Sequence, residues 1–87
     1  MVRNLRTPGH LTLMRVLIET RKAKNITQQD LADRMNRPQS FVAKVETGER
    51  RLDVVELAEW VIAIETDYDV VMEPVLSAVR KTNVSMQ

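Results

Sequence analysis

The sequence predicts an all-α fold, a compact bundle of four to five short helices. Apolar residues recur every three or four positions through most of the chain, which is the period of an α-helix. The 87 residues include only two glycines and three prolines, too few for a sandwich or barrel with many tight turns. Aromatic residues make up 3% of the chain, so aliphatic side chains must form most of the core of one small domain.

The first predicted helix spans about residues 7–24. Thr7 is a candidate N-cap and Pro8 a candidate first helical residue, because proline lacks only an amide hydrogen that would have no partner there. Asn25 can adopt the left-handed backbone conformation that ends a helix. The apolar residues at helical spacing are Leu11, Met14, Leu17 and Ile18.

The second and third helices have equally clear ends. The Thr27 hydroxyl can accept a hydrogen bond from the amide of Asp30, an acid at the position of a capping box, and Asn36 offers a left-handed end. The third helix spans residues 39–47, and Gly48 follows it as a left-handed cap. The inward positions of the two helices are Leu31, Ala32, Met35, Val42 and Val45.

Only Arg37 and Pro38 separate these two helices. Pro38 disfavours helical geometry at Arg37, so the chain must turn there. Two helices of about nine residues joined by so short a link cross steeply, which is the geometry of a helix-turn-helix. In that arrangement the second helix projects and can enter the major groove of DNA.

Asp53 and Glu56 form another capping pair, which opens the fourth helix. Pro74 is acceptable in the first turn of a last helix that ends at about Lys81. We therefore divide the chain into three parts. Residues 7–66 form a DNA-binding domain, residues 67–82 form a C-terminal helical extension suited to dimerisation, and residues 83–87 form a frayed tail. The predicted inward positions of the fourth helix are Val54, Leu57, Ala58, Val61 and Ile64.

Charge is distributed unevenly along the chain. Residues 1–52 carry eleven Lys or Arg against five acids, a net charge of +6, whereas residues 53–87 carry two against seven, a net charge of −5. A basic first part suits a surface that binds a polyanion, although a solvated surface with chance asymmetry has the same pattern.

The composition also excludes several classes of site. There is no cysteine and His10 is the only histidine, so disulfides, thiolate metal sites and multi-histidine centres cannot form. The longest uninterrupted apolar run, residues 60–64, is far shorter than a membrane span. We expect a cytoplasmic protein with no cofactor, no bound metal and no membrane partner.

Two sequence elements lie at a characteristic spacing in the helix-turn-helix region. Residues 27–32 follow the pattern T-Q-x-x-L-A, and residues 46–50 follow E-x-G-x-R. Together they closely resemble the Cro/C1-type, or Xre-family, helix-turn-helix proteins, and the resemblance covers about residues 11–64. It implies a lambda-repressor-like DNA-binding domain whose helix-turn-helix lies at about residues 27–47.

The resemblance also implies which side chains bind DNA. Gln28 is expected on the DNA backbone, where a helix N-terminus favours a phosphate. Base contacts are expected from the face opposite Val42 and Val45, where glutamine suits adenine, alanine a thymine methyl, and lysine a guanine or phosphate. The alternative is a set of exposed polar residues without a ligand. The expected base contacts are Gln39, Ser40, Ala43 and Lys44, and the further phosphate contacts are Arg37, Arg50 and Arg51.

Other residues of this region have structural roles or two open interpretations. In the family, the acid at Glu46 commonly pairs with an arginine of the first helix, here Arg21, and such a pair would fix the helix packing. Phe41 is either partly buried or projects against a thymine methyl or sugar. Arg37 replaces an apolar residue of many members, so we expect it to point to solvent or phosphate, with Pro38 as the first residue of the third helix.

The leading functional hypothesis is a sequence-specific DNA-binding transcriptional regulator, a repressor, that acts on double-stranded DNA as a homodimer. One recognition helix reads only about four or five base pairs, so two half-sites are expected. The last two helices carry more apolar residues than one small core needs, and these residues either form the dimer surface or complete the monomer core. They are Trp60, Ile62, Tyr68, Val70, Met72, Val75 and Leu76.

Two other classes of function compete with this hypothesis. One is a protein-interaction module, such as an antitoxin that neutralises a partner toxin with its C-terminal residues and binds DNA secondarily. The other is an enzyme with a metal site at Asp67, Asp69 and Glu73. These acids lack the glycine and spacing of a calcium loop, which favours a solvated linker.

Overall fold

The computed structural model describes residues 7–85, with the side chains of residues 7–82, and contains five α-helices in that range. They are α1 (Pro8–Ala23), α2 (Gln28–Met35), α3 (Gln39–Thr47), α4 (Val54–Ala63) and α5 (Tyr68–Ser85). The all-α prediction is confirmed. Arg3 and Arg6 of the basic part, and residues 86 and 87 of the expected tail, lie outside the described residues.

The helix ends follow the capping signals of the sequence. The Thr7 hydroxyl accepts a hydrogen bond from the His10 amide, 3.3 Å, and Pro8 begins α1. Reciprocal capping boxes open α2, between Thr27 and Asp30, and α4, between Asp53 and Glu56. Left-handed backbone follows α1, α2 and α3, at Asn25 (φ 59°), Asn36 (φ 59°) and Gly48 (φ 86°).

One core joins all five helices. α5 packs along α1, and it does so closely, because a Cβ at Gly9 would lie 2.8 Å from the Val79 Cγ2 atom. α2 and α3 pack on each other, α2 also packs on α4, and α3 also packs on α1. The largest fully buried side chains come from every helix and are Leu17, Leu31, Val42, Trp60, Ile64 and Val71.

The last helix differs from the prediction. α5 begins at Tyr68, so Pro74 lies inside it rather than in its first turn, and the helix continues to Ser85 through part of the expected tail. Proline within a helix removes one hydrogen bond, which Val71 and Val75 offset here by burying the α5 face in the core.

Three smaller expectations are also wrong. Val54 and Ala58 were expected to face inward on α4, but Val54 is 81% exposed at the first position of the helix and Ala58 is also exposed. Pro38 is the N-cap of α3 with an extended ψ of 152°, not its first helical residue, and no side chain caps this end.

Among the residues described, no helix is long and apolar enough to cross a bilayer.

Candidate nucleic-acid interface

α3 presents a polar face to solvent. Gln39, Ser40 and Lys44 are exposed and Ala43 is half-buried, whereas Val42 is fully buried. The turn before α3 is fixed by the backbone amide of residue 37, which donates to the Ala32 carbonyl over 2.9 Å. The four residues predicted to contact bases therefore lie on the solvent-facing side of α3, directly after this hydrogen-bonded turn.

Gln39 on this face is linked to the half-buried Gln28 of α2 by a hydrogen bond that the sequence did not reveal. Gln39 Nε2 donates to Gln28 Oε1 over 2.7 Å, and Gln28 Nε2 donates to Glu46 Oε1 over 2.8 Å. The candidate phosphate residue and the candidate base residue are thus fixed relative to each other. The orientation of the Gln39 amide is determined by this chain of contacts.

The chain of contacts ends in a buried ion pair. Arg21 Nε donates to Glu46 Oε2 over 2.7 Å and Nη2 donates to Oε1 over 3.0 Å, with side chains only 8% and 5% exposed. Arg21 Nη1 also donates to the Ile26 carbonyl, 2.7 Å. The pair implied by the family resemblance is present in the structure, and it joins α1 to α3.

Phe41 is buried, with only 6% of its surface exposed. Its ring centroid lies 6.2 Å from that of Trp60, and the guanidinium carbons of Arg37 and Arg50 lie 4.5 and 4.7 Å from it. Of the two interpretations of Phe41, the buried one holds. This burial leaves little of the ring accessible to a thymine methyl or a sugar.

Arg37 does not point freely to solvent or phosphate, contrary to the expectation. It is half-buried, Nη1 donates to Glu56 Oε2 over 3.2 Å, and Nη2 lies 3.6 Å from Glu59 Oε1. Arg50 also binds Glu56, through two hydrogen bonds of 3.0 Å. The turn before α3 and the loop after it therefore meet at one carboxylate near the start of α4.

Glu56 is the residue of this region that sequence reasoning missed. Its only sequence signal was the capping pair with Asp53, which gives no indication of arginines 19 and 6 residues away. The Arg50 guanidinium, the Asp53 amide and Arg37 hold the pKa of Glu56 at about 2. Hydrogen bonding to Glu56 in turn raises the pKa of Arg50.

The remaining cations near α3 are unpaired within the part of the chain described. Neither Lys44 nor Arg51 has an acidic side chain within 4 Å among residues 7–82. Partial burial and, to a smaller extent, the Arg51 charge lower the pKa of His10. No neighbouring acid among these residues offsets either cation, so both side chains suit contact with a polyanion.

The acids near the start of α5 do not form a metal centre. Glu73 lies on α5 and is exposed, as are Asp67 and Asp69. Across residues 7–82, no three His, Cys, Asp or Glu side chains are grouped so that they could bind an ion.

Comparison with known proteins identifies this arrangement. A family model described as helix-turn-helix, HTH_3, matches residues 17–71, well over half of the chain. The chain belongs to this helix-turn-helix family. The match begins within α1 and ends within α5, so it includes both helices of the α2–α3 pair and the Glu56 cluster.

Solved structures agree with the family assignment. An XRE-family like protein from Pseudomonas syringae pv. tomato str. DC3000 is 45% identical, with a TM-score of 0.70 over 75% of this chain and 79% of that one. The restriction-modification controller protein C.Esp1396I is 24% identical, with a TM-score of 0.70 over 78% and 90% of the two chains. A point mutant of that controller is 26% identical, with a TM-score of 0.70 over 80% and 89%. No curated protein sequence gives a significant match.

This chain is therefore a DNA-binding transcriptional regulator. The conclusion follows from its helix-turn-helix family, the similar XRE-family structure and the exposed polar face of α3.

Proposed function

We propose that this protein is a sequence-specific repressor that binds the major groove through α3 as a homodimer. The observation that carries the proposal is the exposed face of α3, where Gln39, Ser40 and Lys44 lie together in front of a buried, rigid support. A small protein bound in the major groove through α3 blocks other proteins from the same DNA site, and in this way it represses transcription.

Each side chain of the α3 face has a matching group on the bases. Gln39 presents a donor and an acceptor, the pair that adenine N7 and N6 require, and its amide is held by Gln28. Ser40 can donate to or accept from a base edge, and Ala43 offers a methyl group to thymine. Lys44 has a free ammonium for a guanine or a phosphate.

The phosphate contacts come from the two ends of the α2–α3 unit. Gln28 lies in the first turn of α2, where the helix dipole favours an anion. Arg50 and Arg51 follow α3 and are exposed. Because these residues flank α3 on both sides, they would fix its register in the groove.

The proposed homodimer uses an apolar surface on the last two helices. Trp60 and Val75, two of the residues considered for it, are buried in the monomer and serve its core. Ile62, in contrast, is 75% exposed. On α5, four apolar residues three or four positions apart lie on one side of the helix and form an apolar stripe. They are Tyr68, Met72, Leu76 and Val79.

Selection of bound sequences from a pool of random DNA duplexes tests the proposal. We expect enrichment of an inverted repeat whose half-sites lie about one or more helical turns apart, because a two-fold symmetric dimer places two α3 helices in successive major grooves. Enrichment of a single half-site would contradict the dimer. Absence of any enriched sequence would contradict sequence-specific binding and favour a protein-interaction module, such as an antitoxin.

A pair of lysine variants localises the contact. Lys44→Ala should weaken binding to the enriched duplex about tenfold or more, because it removes a free ammonium from the groove face. Lys81→Ala removes the same charge from the exposed part of α5 and should change binding little at moderate salt. Equal losses for the two variants would indicate non-specific charge attraction.

A further inference from the structure

The Glu56 carboxylate binds both arginines that flank α3. Oε1 accepts from Arg50 Nη1 over 3.0 Å and from the Asp53 amide over 3.0 Å, and Oε2 accepts from Arg50 Nη2 over 3.0 Å and Arg37 Nη1 over 3.2 Å. The Glu56 side chain is only 11% exposed. All its acceptor positions are therefore used, and it cannot move without breaking several hydrogen bonds at once.

This arrangement leaves one edge of the Arg50 guanidinium free. Nη1 uses its hydrogens on Glu56 and on the Arg51 carbonyl, 2.8 Å, and Nη2 uses one on Glu56. Among the described residues, Nε–H and the second hydrogen of Nη2 have no acceptor. These two hydrogens point in parallel from the same edge of the planar group, a fork that matches two oxygens of a phosphate.

We propose that Glu56 is a positioning residue for DNA binding, which holds Arg50 so that the Nε and Nη2 edge binds a backbone phosphate bidentately. The side chain of Arg50 is 41% exposed, so a phosphate can reach this edge while Glu56 stays bound. The inference rests on the proposed function, since it requires that the end of α3 meets DNA.

The negative charge of Glu56 does not oppose this role. Arg37 and Arg50 share the carboxylate, so Glu56 does not neutralise Arg50 alone, and with Glu59, 3.6 Å from Arg37, the cluster has no net negative charge. A long arginine side chain loses conformational freedom when it binds a phosphate, and Glu56 has already restricted Arg50 in the free protein. Its stacking on Phe41 restricts the guanidinium further.

The test compares Glu56→Gln with Glu59→Gln for binding to the duplex enriched by the wild-type protein. Both variants remove one negative charge from α4, and glutamine at position 56 retains an acceptor for the Asp53 amide. Simple charge attraction makes both variants bind DNA more tightly. The proposal instead predicts that Glu56→Gln binds about tenfold more weakly, with a salt dependence reduced by about one phosphate contact per protomer, whereas Glu59→Gln binds at least as tightly as wild type.

A second variant separates positioning from folding. Arg50→Lys keeps the positive charge at an exposed position, but an ammonium cannot bind a carboxylate and a phosphate bidentately at the same time. Its affinity for DNA should therefore fall about as much as that of Arg50→Ala. In the Arg50→Lys background, Glu56→Gln should cause no further loss, which a double-mutant cycle measures. Additive losses would overturn the proposal, as would wild-type affinity in Arg50→Lys.

The outcomes also distinguish this inference from the proposed function. If the wild-type protein enriches a sequence but Glu56→Gln binds it as tightly or more tightly, only the role of Glu56 is wrong. If the wild-type protein binds no duplex, the proposed function and this inference fail together.

Discussion

Arg21 and Glu46 show how a buried charge is made tolerable in a small domain. Taking both groups out of water is costly, and a good pair requires that the remaining donors and acceptors also find partners. Ile26 supplies a carbonyl to the guanidinium, and Gln28 supplies an amide to the carboxylate. The pair therefore connects the core to the side chains that we propose contact DNA.

Removal of one partner should be strongly destabilising. We expect Glu46→Ala or Arg21→Ala to lower the free energy of unfolding by about 3–5 kcal/mol, because each leaves an uncompensated buried charge. The double variant Arg21→Met with Glu46→Leu should recover most of that loss. Urea denaturation measures all of them, and a loss for the single variants no greater than for an exposed pair such as Arg15 and Glu19 would contradict the argument.

Glu56 gives the stability a defined pH dependence. Its pKa falls from 4.5 to about 2 on folding, chiefly because Arg50 binds the carboxylate. A lowered pKa in the folded state means that the stabilisation is complete above pH 4.5 and is lost as the pH falls towards 2. Denaturation at a series of pH values should show a smaller loss across this window in Glu56→Gln than in wild type or Glu59→Gln. Identical slopes in all three proteins would be inconsistent with the cluster.

The residue-scale features differ in how far the sequence reveals them. The Arg21–Glu46 pair was accessible through the family resemblance. The contacts of Arg37 were not, because its distance to Glu56 depends on how the α2–α3 unit packs against α4, which no local pattern encodes. For the same reason Phe41 had two open interpretations, and only the positions of Trp60 and the two arginines decide between them.

At the scale of the element, predictions succeeded where a local signal determines the structure. α2 begins and ends as predicted, and α3 ends as predicted, since the Thr27 hydroxyl and the left-handed residues Asn36 and Gly48 act within a few positions. α5 was mispredicted because Pro74 indicates a helix start, whereas the actual extent depends on packing against α1. On α4, the helical period alone could not show that Val54 and Ala58 lie outside the core.

The left-handed end of α3 provides a test at this scale. Gly48→Ala should lower the free energy of unfolding by about 1–2 kcal/mol, because a Cβ is strained at φ 86° and would lie 2.9 Å from the Met14 Sδ atom. Asn36→Gly, at the equivalent end of α2, places glycine where φ is 59° and should stay within about 0.5 kcal/mol of wild type. Thermal and urea unfolding compare the two; equal effects would show that backbone strain is not the determinant.

For the whole molecule, the proposed arrangement separates two surfaces. The polar face of α3 and the adjacent cations would meet DNA, and the apolar stripe of α5 would meet a second copy of the chain. α5 also buries Val71 and Val75 in the core, so removing the helix would destroy the fold together with any dimer. The dimer must therefore be tested by substitution on the exposed side of α5.

Leu76→Glu introduces a charge into the α5 stripe, and Ser77→Glu introduces the same charge at the next position, about 100° further around the helix and outside the stripe. Both residues are exposed, so both variants should fold, which circular dichroism checks. Sedimentation should show a monomer for Leu76→Glu and a dimer for Ser77→Glu. Because two linked half-sites gain effective concentration, Leu76→Glu should also bind the full operator on the order of a hundredfold more weakly, with affinity for one half-site unchanged. A dimeric Leu76→Glu, or equal binding by both variants, would show that the α5 stripe does not form the interface.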